Sequence, residues 1–168
     1  MIKAIPLKRE SILSLGLLVC LGILAPLLFK QQLVTGTIVN ATIIGASLSF
    51  GLAGGLLAGV LPSSIALLCG VLPAPLVPMI PFIIAGNAVL ALVVASHRTR
   101  NYWASTAAGA VLKFALLYAS SAVVITRLLH QSIPPSIVHM MAWPQLVTAV
   151  MGAMVAFAVS RLLRTPER

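Results

Sequence analysis

Acidic residues are almost missing from this chain: its 168 residues include Glu10 and Glu167 and no aspartate. With no carboxylate away from the ends, a proton relay of acids, an acidic cage for a cation and a carboxylate-based active site are all excluded. Charge of either sign is scarce, at 8% of residues, and from Gln31 to Ser96 there is no Asp, Glu, Lys, Arg or His at all. No water-soluble domain of this size needs so long an uncharged run, which reads instead as the interior of a membrane protein. Cysteine is limited to Cys20 and Cys69. Both fall in apolar segments without metal-ligand spacing and are expected to be small core residues. The histidines, His97, His130 and His139, lack that spacing too, so neither a metal site nor a cofactor is expected. Ser and Thr are plentiful, but without a buried His and acid beside them a hydrolytic triad is unsupported, and the chain is not expected to be an enzyme.

What is present is 60% hydrophobic, with a mean hydropathy of +1.11. Such a chain is expected to form one all-α, polytopic membrane domain over residues 1–168. Six transmembrane helices are expected, at about 11–29, 37–50, 51–72, 79–96, 104–129 and 144–163. Gly51, at the head of a glycine cluster, marks the turn between the second and third. Pro62 and the prolines at 73, 75, 78 and 81 are expected to bend or interrupt helices, and Leu72 to Pro78 cannot be regular helix. The basic start and apolar core of the first span are not followed by a small-residue cleavage site, so this segment is expected to be a mature helix. A formal charge of +9 would suggest nucleic acid in a soluble protein. Here the basic residues sit at span ends, which is a topology signal and gives no reason to expect nucleic acid. Six crossings starting inside put Lys3, Lys8, Arg9, Arg98, Arg100, Arg161, Arg164 and Arg168 on the inner side, against Lys30 and Arg127 outside. Both termini are therefore expected in the cytoplasm.

The same topology gathers Gln31, Gln32, Thr35, Asn40, His130, Gln131, His139, Trp143 and Gln145 toward the outer face. They either line a pocket open to the outside or simply wet that surface. Lys113 is the sharpest residue, the one charge at the middle of a span. Asn87 lies at similar depth, which allows the two to meet inside the bundle. Thr106, Gly109, Lys113 and Ser120 share a helix face that should point inward, opposite Phe114 and Tyr118. Lys113 either meets an anionic or carbonyl-bearing ligand or is satisfied by Asn87 and helix carbonyls. The candidate substrate-binding set is Asn40, Asn87, Lys113, Trp143 and Gln145, with Gln32 and His139. One basic residue amid amides and aromatics suits a small carboxylate or a heteroaromatic ring. Gly51, Gly55 and Gly59, and Gly152 with Ala156, offer flat faces for packing within the bundle or against another subunit.

Three stretches, FGLAGGLLAGV (residues 50–60), PMIPFIIAGNAVLALV (78–93) and AAGAVLKFALLY (107–118), make the chain resemble a substrate-binding S component of an energy-coupling factor (ECF) transporter. The resemblance implies a membrane-embedded binder of a vitamin-like small molecule or trace metal, capped by outer loops, in the inner membrane of a prokaryote. It also implies partners, a transmembrane coupling protein and two cytoplasmic ATPases. Members commonly dock through an Ala-x-x-x-Ala face on the first helix. Here Gly16 and Cys20 are the nearest small pair, and Ala149 and Ala153 hold that spacing in the last helix. The alternative from another class is a non-catalytic structural or assembly subunit of a larger membrane complex. Under the transport reading, replacing Lys113 or Asn87 by Leu is expected to abolish uptake with folding preserved.

Overall fold

The computed structural model describes residues 9–72, 74–96, 101–123 and 139–163. The sequence expectations for Lys3, Lys8, His97, Arg98, Arg100, Arg127, His130, Gln131, Arg164, Arg168 and the end of the fifth span lie outside these residues. The regular elements among the described residues are all helical, with no strand. The elements are α1 (Arg9–Leu28), α2 (Gln32–Leu68), a 3-10 segment (Ala74–Met79), α3 (Ile80–Ser96), α4 (Tyr102–Val123) and α5 (Trp143–Leu163). By length and composition, four helical stretches among the described residues can cross a membrane: Ser11–Leu28, Gln32–Leu68, Leu76–Ser96 and Trp143–Leu162.

The long α2 is two arms. Gly51 sits inside it at φ 71° and ψ −161°, a region open in practice only to glycine, and the chain reverses there. Thr42 and Pro62 would be about 30 Å apart along a straight helix. Both nevertheless flank Gly22 of α1, where an added Cβ would lie 3.0 Å from Thr42 Oγ1 and 3.1 Å from Pro62 Cγ. Across the arms, a Cβ on Gly55 would collide with Ser47 Oγ. Gly51 is thus the hinge itself rather than part of a packing face, and residues 32–50 and 52–68 form an antiparallel hairpin.

Three boundaries depart from expectation for local reasons. The first arm starts at Gln32 rather than residue 37, because its polar residues satisfy themselves on the helix: Thr35 Oγ1 donates to Gln31 O and Gln32 O, and Thr37 Oγ1 to Leu33 O. The extra turn brings this arm to roughly the thickness of a bilayer core. Asn101 starts α4 early by accepting the backbone N–H groups of Trp103 at 3.0 Å and Ala104 at 3.4 Å through Oδ1. Pro62 does not interrupt its arm; it stays inside the helix, buried against α1.

The α2 hairpin is the spine, touching α1, α3 and α5, while α4 closes the bundle against α3 and α5. Ile43, Ile44, Ala58, Leu90, Ala91, Val94, Ala153 and Ala156 form the main apolar cluster. All lie on the side of Asn40 and Asn87 that leads toward Gly51 and Ser96. A smaller cluster of Leu76, Met79, Leu117 and Met141 lies toward the opposite end. Near the Ser96 end, Tyr102 and Trp103 pack on Phe157 with centroids 5.4 and 5.0 Å away, and Arg161 sits 5.2 Å over the same ring. Tyr102 also donates its hydroxyl to Ala153 O at 2.5 Å.

The glycine pairs pack inside the bundle. A Cβ at Gly59 would lie 3.0 Å from Asn87 Cβ, and one at Gly152 would lie 2.7 Å from Asn40 Cβ. Ala153 and Ala156 are buried in the main cluster and Ala149 is buried as well, which leaves the Ala-x-x-x-Ala spacing of Ala149 and Ala153 unavailable as a docking face. Cys20 and Cys69 are exposed, contrary to the core positions expected of them. In a chain made for lipid, apolar sequence context does not distinguish the inside from the outside of the bundle. Gly51→Ala is expected to lower stability by roughly 1–3 kcal/mol. Thermal unfolding of the purified variant in detergent checks this, and an unchanged midpoint would contradict the hinge.

Candidate functional site

At the middle of α4, an inward face of Thr106, Gly109, Lys113, Leu117 and Ser120 turns into the bundle, with Tyr118 on the outside. Lys113 is only 3% exposed. Its Nζ donates to Asn40 Oδ1 at 2.6 Å, on the first arm of α2, and to Asn87 Oδ1 at 2.7 Å, on α3. An ammonium group has donors and no acceptor, so both amides must turn their oxygens toward it and their NH2 groups away. Those NH2 groups are then taken up by the neighbouring helices. Asn87 Nδ2 donates to Gly59 O at 2.8 Å on the second arm of α2. Asn40 Nδ2 donates to Thr148 Oγ1 at 3.2 Å on α5, and Thr148 in turn donates to Gln145 O at 3.1 Å. One lysine and two amides therefore tie together both arms of α2, α3, α4 and α5.

Amides this short reach only if the backbones are close, and glycines stand where they must be. Gly59 lies against Asn87, Gly152 against Asn40 and Gly86 against Lys113 Cγ, where an added Cβ would sit at 3.3 Å. Among the described residues no buried side-chain nitrogen or oxygen lacks a partner. The charge has no counterion in this network. Its acceptors are neutral amides, and the chain's two acids lie at positions 10 and 167.

Above this layer the bundle opens into a cavity of about 550 Å³. Asn40, Asn87 and Lys113 form its floor, while Val39, Pro62, Ala66, Leu76, Ile80 and Ile83 supply apolar wall. Lys30, Gly70, Val71, Leu72, Met140 and Met141 lie toward the mouth. Below the floor the main apolar cluster fills the bundle, so the space is a blind cleft rather than a passage.

Of the residues expected to bind, Asn40, Asn87, Lys113, Gln32 and Gln145 all line this cavity. Gln32 and Gln145 also have a structural task. Gln32 Nε2 donates to Met140 O at 2.6 Å and Gln145 Nε2 to the same oxygen at 3.1 Å, clamping the turn before α5 over the cavity. Trp143 and His139 are not among the lining residues. Both are exposed, and they pair with each other, Trp143 Nε1 donating to His139 Nε2 at 3.0 Å. The helical register explains the split: with Gln145 and Thr148 turned inward, Trp143 falls on another face of α5. Thr148 and Ser63 were missed by sequence reasoning. The spacing of Gln145, Thr148 and Gly152 on one face was the signal for Thr148. Ser63 carries no such signal, because its position depends on the hairpin reversal.

Lys113→Met would leave two buried amide oxygens without donors, at about 1–3 kcal/mol for each orphaned acceptor. It is therefore expected to lower stability clearly, whereas the sequence reading expects folding to be preserved when this lysine is replaced. Trp143→Ala is expected to stay within about 0.5 kcal/mol of the parent. Thermal unfolding of both variants in detergent decides, and equal stability would contradict the hub. The chain matches no family model, no curated protein and no solved structure, so what the cavity can do rests on its own geometry.

Proposed function

We propose that the chain is the membrane-embedded substrate-binding subunit of an importer of the ECF type. It spans the inner membrane of a prokaryote six times, with both termini in the cytoplasm and the cavity facing outward. The two arms of α2 count as separate crossings in this reading, and the cavity mouth carries Lys30 while Arg161 lies near the opposite end. The observation that carries it is the blind cleft, large enough for a vitamin-sized molecule, with a polar floor and a dry apolar half beneath. A channel needs a continuous path through the bundle, and a proton-coupled carrier commonly works through acids within its spans. A binder that hands its cargo to a separate coupling protein and ATPases needs neither. A structural subunit of a larger complex is the second reading, favoured by one fact: among the described residues every buried polar side-chain atom already has a hydrogen-bond partner without a guest.

Two experiments test the proposal. A thermal-shift screen of the purified protein against vitamins, vitamin precursors and trace metals should find at least one that raises the unfolding midpoint. Co-expression with a coupling protein and its ATPases should yield a stable complex. A protein that binds none of these compounds and copurifies with no ATPase would favour the structural subunit. For orientation, Lys30→Cys in a C20S/C69S background should react with a membrane-impermeant maleimide on intact cells, and Arg161→Cys only after permeabilisation. The reverse pattern would overturn the outward-facing cavity.

A further inference from the structure

We infer that the guest of this cavity is a small organic anion, a carboxylate or its chemical equivalent, whose charged group meets Lys113 Nζ while its apolar body lies along the walls. The inference rests on reading the cavity as a binding site, and it narrows the guest from a vitamin-like molecule or trace metal to one class.

Charge provides the first argument. Among the described residues the cavity lining contains two lysines, Lys113 on the floor and Lys30 toward the mouth, and no acid. Walls of low polarity concentrate that field within the cleft, which draws anions in and holds cations out. A mid-bundle ammonium normally finds a carboxylate or a water-filled space, and the described residues of the lining offer it no carboxylate.

Hydrogen-bonding capacity provides the second. Lys113 has three N–H donors, and two of them go to Asn40 and Asn87. The oxygens on either side fix Nζ in place and leave the remaining donor for a guest. Each amide NH2 of the floor gives one N–H to Gly59 O or Thr148 Oγ1, and those of Gln32 and Gln145 each give one to Met140 O. A neutral guest could accept an N–H here but would leave the ammonium without a counter-charge. A metal ion would need the same two amide oxygens that the ammonium holds, beside a positive charge. An anion needs only the donor that is left.

Two small thiol reagents of opposite charge probe this whatever the guest proves to be. The full chain, carrying Ser63→Cys in a C20S/C69S background and reconstituted in nanodiscs, is treated with sulfonatoethyl methanethiosulfonate, an organic anion. A parallel sample receives the trimethylammonium analogue, an organic cation. Corrected for their rates with a free thiol, the anion is expected to react about tenfold faster or more. Adding Lys113→Gln, which keeps a donor for the two amides, is expected to remove most of that preference. Equal rates, a preference for the cation, or a preference that survives Lys113→Gln in a folded protein would overturn the anionic guest and leave the binding-subunit reading standing. If neither reagent reaches Cys at position 63, the cavity is closed to solutes and both readings fall. If Lys113→Gln does not fold, Lys30→Gln in the same background is expected to leave most of the preference in place, and its loss would overturn the contact with Lys113.

Discussion

An ammonium group in the middle of an apolar bundle must be met by acceptors that reach it, and most of this architecture follows from that constraint. Leaving Lys113 unmet would be costly. The chain answers with neutral amides, which then need acceptors of their own for the NH2 groups that face away. Satisfying one lysine thus propagates outward, through Asn87 to the second arm of α2 and through Asn40 and Thr148 to α5. In lipid, where apolar surfaces gain little by meeting one another, such a network is a main source of specificity in helix packing. It fixes which helices are neighbours and at what depth they align.

The network also divides the bundle. On one side lie Ile43, Ile44, Leu90, Val94 and the small residues of α5, packed without polar interruption. On the other, prolines, glycines and the 3-10 segment prevent helices from closing over the space, and the cleft results. Gln32 and Gln145 converge on the Met140 carbonyl from α2 and α5, so the same two helices that carry the Asn40–Thr148 bond also hold the turn at the mouth. Floor and roof are therefore mechanically linked through α5. Helix α1 stands apart. It contributes Gly22 and Ala25 to the contact with α2, yet most of its leucines, Leu13, Leu17, Leu21, Leu24 and Leu28 among them, are exposed and face what surrounds the bundle.

Much of this was legible in the residues. A single mid-span lysine, a buried amide at matched depth and glycines at helical spacing predict a polar contact at a close-packed crossing. The contact of Lys113 with Asn87 and the inward face of α4 follow that logic. The reversal at Gly51 was legible as well, because only a glycine-rich point can turn two apolar segments back on each other without a polar loop. Side-chain facing was harder to read. Cys20 and Cys69 lie in segments as apolar as the core, and lipid-facing and core-facing positions have nearly the same composition. Trp143 and His139 looked like binding residues because the six-span topology gathers them toward the outer face with Gln145. Adjacent positions on a helix point in different directions, and only the register set by Thr148 and Gly152 against Asn40 settles which of them turns inward.

The central claim is that the lysine and its two amides form the floor of a site built to hold something. A high-resolution structure of the protein isolated from its own membranes, paired with mass spectrometry of what it carries, tests this most directly. The account predicts density for a non-protein molecule in the cleft, with an oxygen within hydrogen-bonding reach of Lys113 Nζ. A lysine satisfied only by Asn40 and Asn87, beneath a cleft filled by lipid tails or by a partner's side chains, would contradict it.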